Sequence, residues 1–357
     1  MGAKIVSTGG YVPGEAITNA MLEEMVGALP DGLLEGMHME RRHWIVDRET
    51  GEHTDSTSGM AAKAALQALE RAAVEPADID LLIVATATGD YMLPPTPALV
   101  QDELGGRCAL LEIRSGGAGV VQGLDIARLY LERGIYRTAV VVGADAISPT
   151  QAQIFGSGSK RIKVRDRLLV YMFGDGAGAI VLQASDESSV IGSAIAGIGA
   201  GRPPGMEVRG GGGTHRPYLE QLDGGRPVDL HIDIEQANSY TATLTIEALA
   251  DLLATTGVSA DSIDLLVTPE ADTEWMAEAF AEAGDQASAW RTLEGKVYNA
   301  LPEIGAPGCA ALPLGLDRAW VEGRLAPGRR VMLLGMETTK WIYAGMIFDW
   351  AAPSPKG

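Results

Sequence analysis

The chain contains two sets of similar segments, one in each half, and they occur in the same order. Residues 78–84 read DIDLLIV and residues 262–267 read SIDLLV. Residues 123–134 read GLDIARLYLERG, residues 315–325 read GLDRAWVEGRL, and an apolar run follows each of them. Similar segments in a conserved order indicate a duplicated structural unit. We therefore predict two halves, residues 1–185 and residues 186–357.

The apolar pattern of the first half is typical of alternating strands and helices. Residues 81–86 (LLIVAT) and 138–143 (TAVVVG) are short, almost wholly apolar runs, as expected for strands that are covered on both faces. Residues 119–133, between them, carry apolar side chains at helical spacing. This β-α-β order predicts a layered α/β architecture.

Composition excludes several classes of protein. Hydrophobic residues make up 46% of the chain, which is typical of a globular protein. No apolar run is long enough to span a membrane, and no basic region followed by an apolar stretch opens the chain, so we expect a cytoplasmic protein. The formal net charge of −19 argues against nucleic acid and anionic membranes as partners. Two cysteines do not make a disulfide framework.

A glycine-rich run points to a family. Residues 173–179 read FGDGAGA and precede an apolar run, so they do not open a helix as a phosphate-binding loop would. Together with STGGYVP at residues 7–13 and VATAT at residues 84–88, this run resembles β-ketoacyl-acyl-carrier-protein synthase III of the thiolase superfamily. The resemblance implies an α/β thiolase fold of five layers, αβαβα, built from two pseudo-duplicated halves.

The residues that carry the family's chemistry differ in this chain. Such enzymes resemble one another in using a Cys nucleophile, a His and an Asn. The resemblance places Gly117, Glu270 and Ala306 at these three positions, which excludes the standard decarboxylative condensation. Glu270 is either a general base with a pKa raised by burial or the product of lost function. Ser115 is either a displaced nucleophile or a turn hydroxyl that caps the helix.

The resemblance also implies which residues surround the site. Glu337 and Thr338 stand where the family has a glycine-rich turn near the oxyanion site, and Cys309 is expected to pack inside the fold. Gly116 is expected to line the pocket, and the segment around Leu93 is expected to help close the acyl tunnel of a second subunit. We expect no metal and no cofactor.

Two surfaces are candidates for partners. The resemblance implies a dimer with a second copy or with a homologue, in which residues 108–114 pair across the interface. A basic cluster is either a docking face for an acidic acyl carrier protein or is paired internally with carboxylates. It contains Lys160, Arg161, Lys163, Arg165 and Arg167. The long segment 199–225, rich in Gly and Pro, is interpreted as a loop or lid.

These observations leave three functional hypotheses. The first is an enzyme of specialised polyketide or fatty-acyl metabolism. It would act on an acyl-CoA thioester or a carrier-bound intermediate, by acyl transfer or cyclisation without the Cys acyl-enzyme, with Glu270, Ser115 and Glu337 as candidate groups. The second is a non-catalytic partner of an active homologue. The third is a binding protein for an acyl or aromatic ligand.

Overall fold

The structure is a computed structural model that describes residues 1–155, 162–210, 219–220, 228–232, 234–268 and 274–355. Its strands are β1 (Gly2–Tyr11), β2 (Ile17–Thr18), β3 (Arg41–Arg42), β4 (Leu81–Ala85), β5 (Ala109–Ile113), β6 (Thr138–Asp145), β7 (Gly176–Ser185), β8 (Val190–Gly197), β9 (Met206–Gly210), β10 (Val228–Ile232), β11 (Leu265–Val267), β12 (Val297–Tyr298), β13 (Arg330–Glu337) and β14 (Ile342–Asp349). Its α-helices are α1 (Asn19–Val26), α2 (Leu33–Met37), α3 (Thr57–Ala72), α4 (Thr96–Leu104), α5 (Gly116–Glu132), α6 (Ser148–Phe155), α7 (Val164–Met172), α8 (Ile234–Thr256), α9 (Glu274–Glu282), α10 (Ser288–Leu293), α11 (Leu301–Ile304) and α12 (Ala311–Val321).

Two five-stranded sheets repeat the same topology. The first has the order β1-β7-β6-β4-β5 and the second has the order β8-β14-β13-β11-β12. In each sheet the first two pairings are antiparallel and the last two are parallel. The predicted duplication is therefore confirmed at the level of strand order and direction. The strands of the first sheet end at Ser185 and those of the second begin at Val190. The division into residues 1–185 and 186–357 stays a prediction.

The helices complete five layers. Helix α3 packs on the outer face of the first sheet, and α8 packs on the outer face of the second sheet. Helices α5 and α12 lie between the sheets and contact strands of both. The predicted αβαβα arrangement is confirmed. Strand β4 is fully buried, as its wholly apolar sequence predicts for a central strand covered by helices on both faces.

Glycines allow the middle layer to approach both sheets closely. A Cβ on Gly119 of α5 would lie 3.1 Å from Cβ of Ala85 on the first sheet. On the second sheet, a Cβ on Gly335 would lie only 2.2 Å from the carbonyl oxygen of Gly117. Backbones this close leave no room for a larger side chain. The start of α5 is therefore fixed directly against β13, and this contact positions the candidate site.

The aspartate of the FGDGAGA run accepts hydrogen bonds from buried backbone amides. Asp175 is fully buried, and its carboxylate accepts hydrogen bonds from the amides of Ile45 (2.7 Å), Ile147 (2.6 Å) and Ser148 (2.8 Å). The hydroxyl of Ser148 donates a further bond. A carboxylate with this many donors can remain buried. The run thus connects two loops to the first sheet.

A second buried carboxylate connects the two halves of the chain. Oδ1 of Asp145, at the end of β6, accepts hydrogen bonds from the amides of Ala87 (2.8 Å) and Thr88 (3.0 Å) and from the hydroxyls of Thr86 and Thr88. Its Oδ2 accepts one from the amide of Cys309 at 2.7 Å. Because Cys309 belongs to the second half, this one side chain fixes the loop after β4 against the turn Gly308–Ala310.

The long segment 199–225, interpreted from the sequence as a loop or lid, contains regular structure. The segment 199–225 is not a loop throughout, since it contains β9, which pairs with β10. An extended run of Met, Glu and Val at residues 206–208 supplies strand-forming residues that the neighbouring glycines obscured. Residues 211–218 of this segment lie outside the described ranges.

None of the described helices is long and apolar enough to cross a lipid bilayer.

The position of Asp145 leads to a stability prediction. Asp145→Ala would leave the amides of Ala87, Thr88 and Cys309 without this acceptor, and the amide of Cys309 is buried, so we expect a loss of about 3 kcal/mol in the free energy of unfolding. Denaturant titration measures it. The matched control is Asp349→Ala, which breaks a partly exposed ion pair with Arg330 and should cost about 1 kcal/mol or less. Equal losses in the two variants would contradict the proposed role of Asp145.

Candidate functional site

A cavity of about 860 Å³ lies between the start of α5 and the turn that joins β13 to β14. It brings together three residues that the sequence analysis named, Ser115, Gly116 and Glu337. The loop after β4, the start of α3 and strand β9 form its other walls, with Thr57, Thr88, Asp90, Met92, Thr150, Met206 and Val208 among the lining residues. A cavity of this size holds a small organic substrate.

Glu337 is the carboxylate at the base of this cavity. It is the last residue of β13 and is only 9% exposed. Its side chain lies against Gly116, because a Cβ on Gly116 would be 1.3 Å from Oε2 of Glu337. Gly116 also has a φ of 45°, a left-handed conformation that favours glycine. The glutamate therefore occupies space at the first residue of α5 that only glycine leaves open.

The protein environment favours the protonated form of Glu337. Burial raises the pKa of its carboxyl above the usual 4.5, and the negative charge of Asp145 acts in the same direction. Hydrogen bonds from Thr339, including one from the backbone amide at 2.7 Å to Oε1, oppose the rise. A carboxyl group with a raised pKa that faces a cavity is a candidate for accepting and donating a proton.

Ser115 immediately precedes α5 and is half-buried. Its side chain accepts no capping hydrogen bond from the helix, so the capping interpretation finds no support in its hydrogen bonds. Among the described residues, no side chain accepts a hydrogen bond from the first-turn amides of α5. These donors and the positive end of the helix dipole lie beside the carboxyl group of Glu337.

Cys309 lies close by but cannot serve as a displaced nucleophile. Its side chain is fully buried in the turn Gly308–Ala310, and burial, with Asp145 adding to the effect, raises the pKa of its thiol well above 9.0. A thiol that stays protonated and has no access to solvent is unreactive. The expectation that Cys309 packs inside the fold agrees with this position.

The remaining predicted site residues are spread around the cavity or lie elsewhere. Gly117 is buried within α5, and Ala306 donates its amide to the carbonyl of Met172 at 2.8 Å; neither lines the cavity. The carbonyl of Thr338 accepts a hydrogen bond from Gly205. Leu93 is 81% exposed and follows Met92 of the cavity wall.

Glu270 lies outside the described residues. Before it, the chain is described as far as Thr268, whose buried hydroxyl has no hydrogen-bond partner among the described residues. The meeting of Gly117, Glu270 and Ala306 in one pocket therefore stays a prediction.

The basic cluster is partly engaged within the protein. Lys160 and Arg161 lie outside the described residues, and Lys163 is exposed. The guanidinium of Arg165 forms an ion pair with Asp166 at 3.4 Å and contacts His231, while Arg167 donates to the carbonyl of Ala28. Arg165 is therefore paired within the protein, which is one of the two alternatives that the sequence left open for the basic cluster. The docking role stays a prediction.

Sequence reasoning overlooked two cavity residues, Arg114 and Lys340. Each directly adjoins a segment that it did consider, the one before Ser115 and the turn after Glu337, but neither carries a motif signal. Among the residues that the structure describes, no group of three or more His, Cys, Asp or Glu side chains is arranged to hold a metal ion.

The raised pKa of Glu337 leads to a pH-dependent stability prediction. A carboxyl with a raised folded-state pKa contributes stability that is fully present below its unfolded pKa and is lost as the pH rises through the folded value. Glu337→Gln stays neutral and can keep the bond from the Thr339 amide. We therefore expect the variant to match the wild type below about pH 4.5 and to become the more stable protein as the pH rises. Denaturant titrations across this range measure the difference, and a pH-independent difference would contradict it.

Comparisons with known proteins agree with this architecture. The profile of the family described as 3-Oxoacyl-[acyl-carrier-protein (ACP)] synthase III matches residues 111–199. A curated relative, the β-ketoacyl-[acyl-carrier-protein] synthase III of Clostridioides difficile (strain 630), is 29% identical over 341 residues, which cover 93% of this chain and 94% of the relative.

Solved structures show the same fold over the whole chain. The tetronic acid condensing enzyme AbyA1 superposes with a TM-score of 0.80 at 26% identity, covering 97% of this chain and 99% of the other. The 3-oxoacyl-(acyl carrier protein) synthase III of Pseudomonas aeruginosa PAO1 has a TM-score of 0.79 at 22% identity, covering 99% and 100%. Together, these comparisons show that the chain is similar to synthase III proteins in sequence over residues 111–199 and in fold over nearly its whole length.

Proposed function

We propose that this protein transfers or cyclises an acyl group presented as a thioester, on coenzyme A or on an acyl carrier protein, without a Cys acyl-enzyme. The observation that carries the proposal is the buried carboxyl of Glu337, which faces a cavity at the start of α5. Glu337 lies against Gly116, and the next residue, Gly117, stands where the family resemblance implies the nucleophile. This proximity supports a chemical role for Glu337.

The proposal includes the replacement of all three catalytic residues that the family resemblance implies, the Cys, the His and the Asn. Gly117 has no side chain to acylate, and Ala306 has no side-chain amide to donate a hydrogen bond. Glu270, the third position, stays a candidate second acid or base. With these replacements the protein has to rely on positioning and on proton transfer rather than on covalent catalysis.

The geometry fits a direct attack on the thioester. The carbonyl oxygen would point at the first-turn amides of α5, where negative charge develops in the transition state. The ionised carboxyl of Glu337 would take the proton of the attacking hydroxyl or acidic carbon. As the new bond to the carbonyl carbon forms, the carbon–sulfur bond breaks, and the thiolate leaves and is protonated to the free thiol.

Two structural neighbours favour specialised metabolism as the setting. AbyA1 is described as a tetronic acid condensing enzyme, and a fold neighbour at 21% identity is the priming β-ketosynthase of the R1128 polyketide pathway. A tetronic acid ring contains both carbon–oxygen and carbon–carbon bonds. The description of AbyA1 therefore motivates testing oxygen nucleophiles and carbon nucleophiles together. A carrier protein would dock near Lys163, the exposed residue of the described part of the basic cluster.

The second candidate function is that of a non-catalytic partner subunit, and the edge of the first sheet favours it. Strand β5 is the terminal strand of that sheet, and Leu110 and Leu111 on it are each 37% exposed. The neighbouring segment exposes Tyr91, Met92 and Leu93 at 64%, 72% and 81%. Unpaired edge strands with apolar side chains are sites of pairing with another chain. We propose a dimer through β5 for either function.

The central prediction concerns the rate of thioester turnover. Glu337→Gln keeps the size of the side chain but removes the titratable group, so we expect free-thiol release from acyl thioesters to fall about a hundredfold or more. Glu207→Gln is the matched control, because Glu207 is a second glutamate that lines the same cavity and lies on strand β9 rather than on β13. We expect it to retain near-wild-type rates.

The same experiment separates the two candidate functions. If Glu337→Gln matches the wild type in every assay, alone and with an active homologue, the enzymatic proposal is wrong and the partner role stands. An acyl adduct found by intact-protein mass spectrometry and lost in Ser115→Ala would overturn the direct-attack mechanism in favour of a displaced nucleophile.

The dimer is tested by a charge placed on β5. Leu111→Glu brings a carboxylate into the proposed interface, so we expect the protein to change from dimer to monomer at micromolar concentration in analytical ultracentrifugation. The control is Leu66→Glu on α3, where the leucine is 44% exposed and away from β5. A monomeric wild type, or dissociation by both variants, would contradict the predicted interface.

A further inference from the structure

Two cations, Arg114 and Lys340, line the same cavity as the carboxyl of Glu337. Arg114 lies between β5 and the start of α5, and Lys340 lies in the turn between β13 and β14. Both are exposed. In the described ranges no carboxylate lies within ion-pair distance of either one. The Lys340 ammonium donates to a backbone carbonyl, that of Arg202.

The acidic residues that line the same cavity differ from Arg114 and Lys340, because each of them interacts with a neighbouring group. Asp55 forms an ion pair with Lys63 at 2.6 Å, and Asp90 accepts hydrogen bonds from two amides at the start of α3. Glu207 also interacts with a neighbouring group. In a chain with a net charge of −19, two cations that line one cavity and have no carboxylate partner among the described residues are unusual. Their arrangement matches a ligand that brings its own negative charge.

We propose that the cavity is specific for acyl thioesters whose acyl chain carries a second, anionic group, a carboxylate, which Arg114 and Lys340 bind. This proposal rests on the proposed function and adds the substrate class. The planar guanidinium of Arg114 suits a carboxylate because it can donate two parallel hydrogen bonds. Arg114 and Lys340 would then orient the acyl group, while Glu337 transfers the proton.

Chain geometry assigns the anion to the acyl group rather than to the phosphate of the thioester carrier. Consecutive Cα atoms are about 3.8 Å apart, so the Cα of Arg114 lies within about 7.6 Å of that of Gly116, which Glu337 contacts. Arg114 therefore belongs to the part of the cavity wall that holds Gly116 and Glu337, where the proposed function places the reacting carbon. The long pantetheine arm of coenzyme A or a carrier protein holds its phosphate much further from the thioester.

The experiment compares two ligands that differ by one carboxylate. Succinyl-CoA and butyryl-CoA have acyl chains of equal length and the same phosphates. Their binding is measured by isothermal titration calorimetry at low salt in the Glu337→Gln protein, so that turnover does not interfere. We expect the added substitution Arg114→Gln to weaken succinyl-CoA binding by about tenfold to a hundredfold, the usual worth of a hydrogen bond to a charged group, and to leave butyryl-CoA binding nearly unchanged. Lys340→Gln should act in the same direction, with a smaller effect.

The controls separate this proposal from its alternatives. Arg107→Gln removes another exposed arginine, one that precedes β5 and does not line the cavity, and should leave both ligands unaffected. Equal weakening of both ligands by Arg114→Gln would overturn the proposal, since the residue would then bind the phosphates. So would a change of oligomeric state without a change of ligand preference. If preference is unaltered but Glu337→Gln still abolishes turnover, only the substrate class is wrong. If neither ester binds or is turned over, the proposed function fails as well.

Discussion

The buried carboxylate of Asp145 is the interaction on which the arrangement of the site depends. It accepts hydrogen bonds from the loop that follows β4 and from the amide of Cys309 in the second half. The loop after β4 forms one wall of the cavity, and the turn that contains Cys309 packs against β6 and the central helix α5. Because one side chain satisfies donors from both halves, the halves cannot separate without leaving buried amides unpaired.

Close contact between backbones then fixes the position of Glu337. Gly335 contacts the carbonyl of Gly117, so the end of β13 cannot move away from α5 without losing the packing of the middle layer. Two residues later, Glu337 projects over Gly116, and any side chain at position 116 would collide with the carboxyl group. The identities of residues 116 and 337 are therefore coupled, although more than two hundred residues of chain separate them. A small residue at the helix start and an acidic residue at the strand end form one structural unit.

The sequence predicted the architecture well because duplication and apolar periodicity are local signals. DIDLLIV and SIDLLV mark β4 and β11, which occupy equivalent places in sheets of identical strand order. The site was predicted less completely, because it depends on contacts between distant segments. Glu337 was named as a neighbour of the pocket, but nothing local indicated that its carboxyl would lie at residue 116. Asp145 and Arg114 carry no motif, and their roles follow only from what the fold places beside them.

A comparison of the buried carboxylates separates structural from functional roles. Asp145 and Asp175 each accept several hydrogen bonds from distant parts of the chain, and Asp317 is paired with Arg71 and Thr8. Glu337 is nearly as buried, yet within the described part of the chain its hydrogen bonds come from Thr339 alone, two residues further on. Burying a charged group with few partners destabilises a fold. In the described part of the chain, Glu337 accepts no hydrogen bond from a distant element, although its carboxyl lies against Gly116. It faces a cavity that is also lined by two cations without a carboxylate partner among the described residues. A buried carboxyl in this position is placed to take part in chemistry rather than in folding.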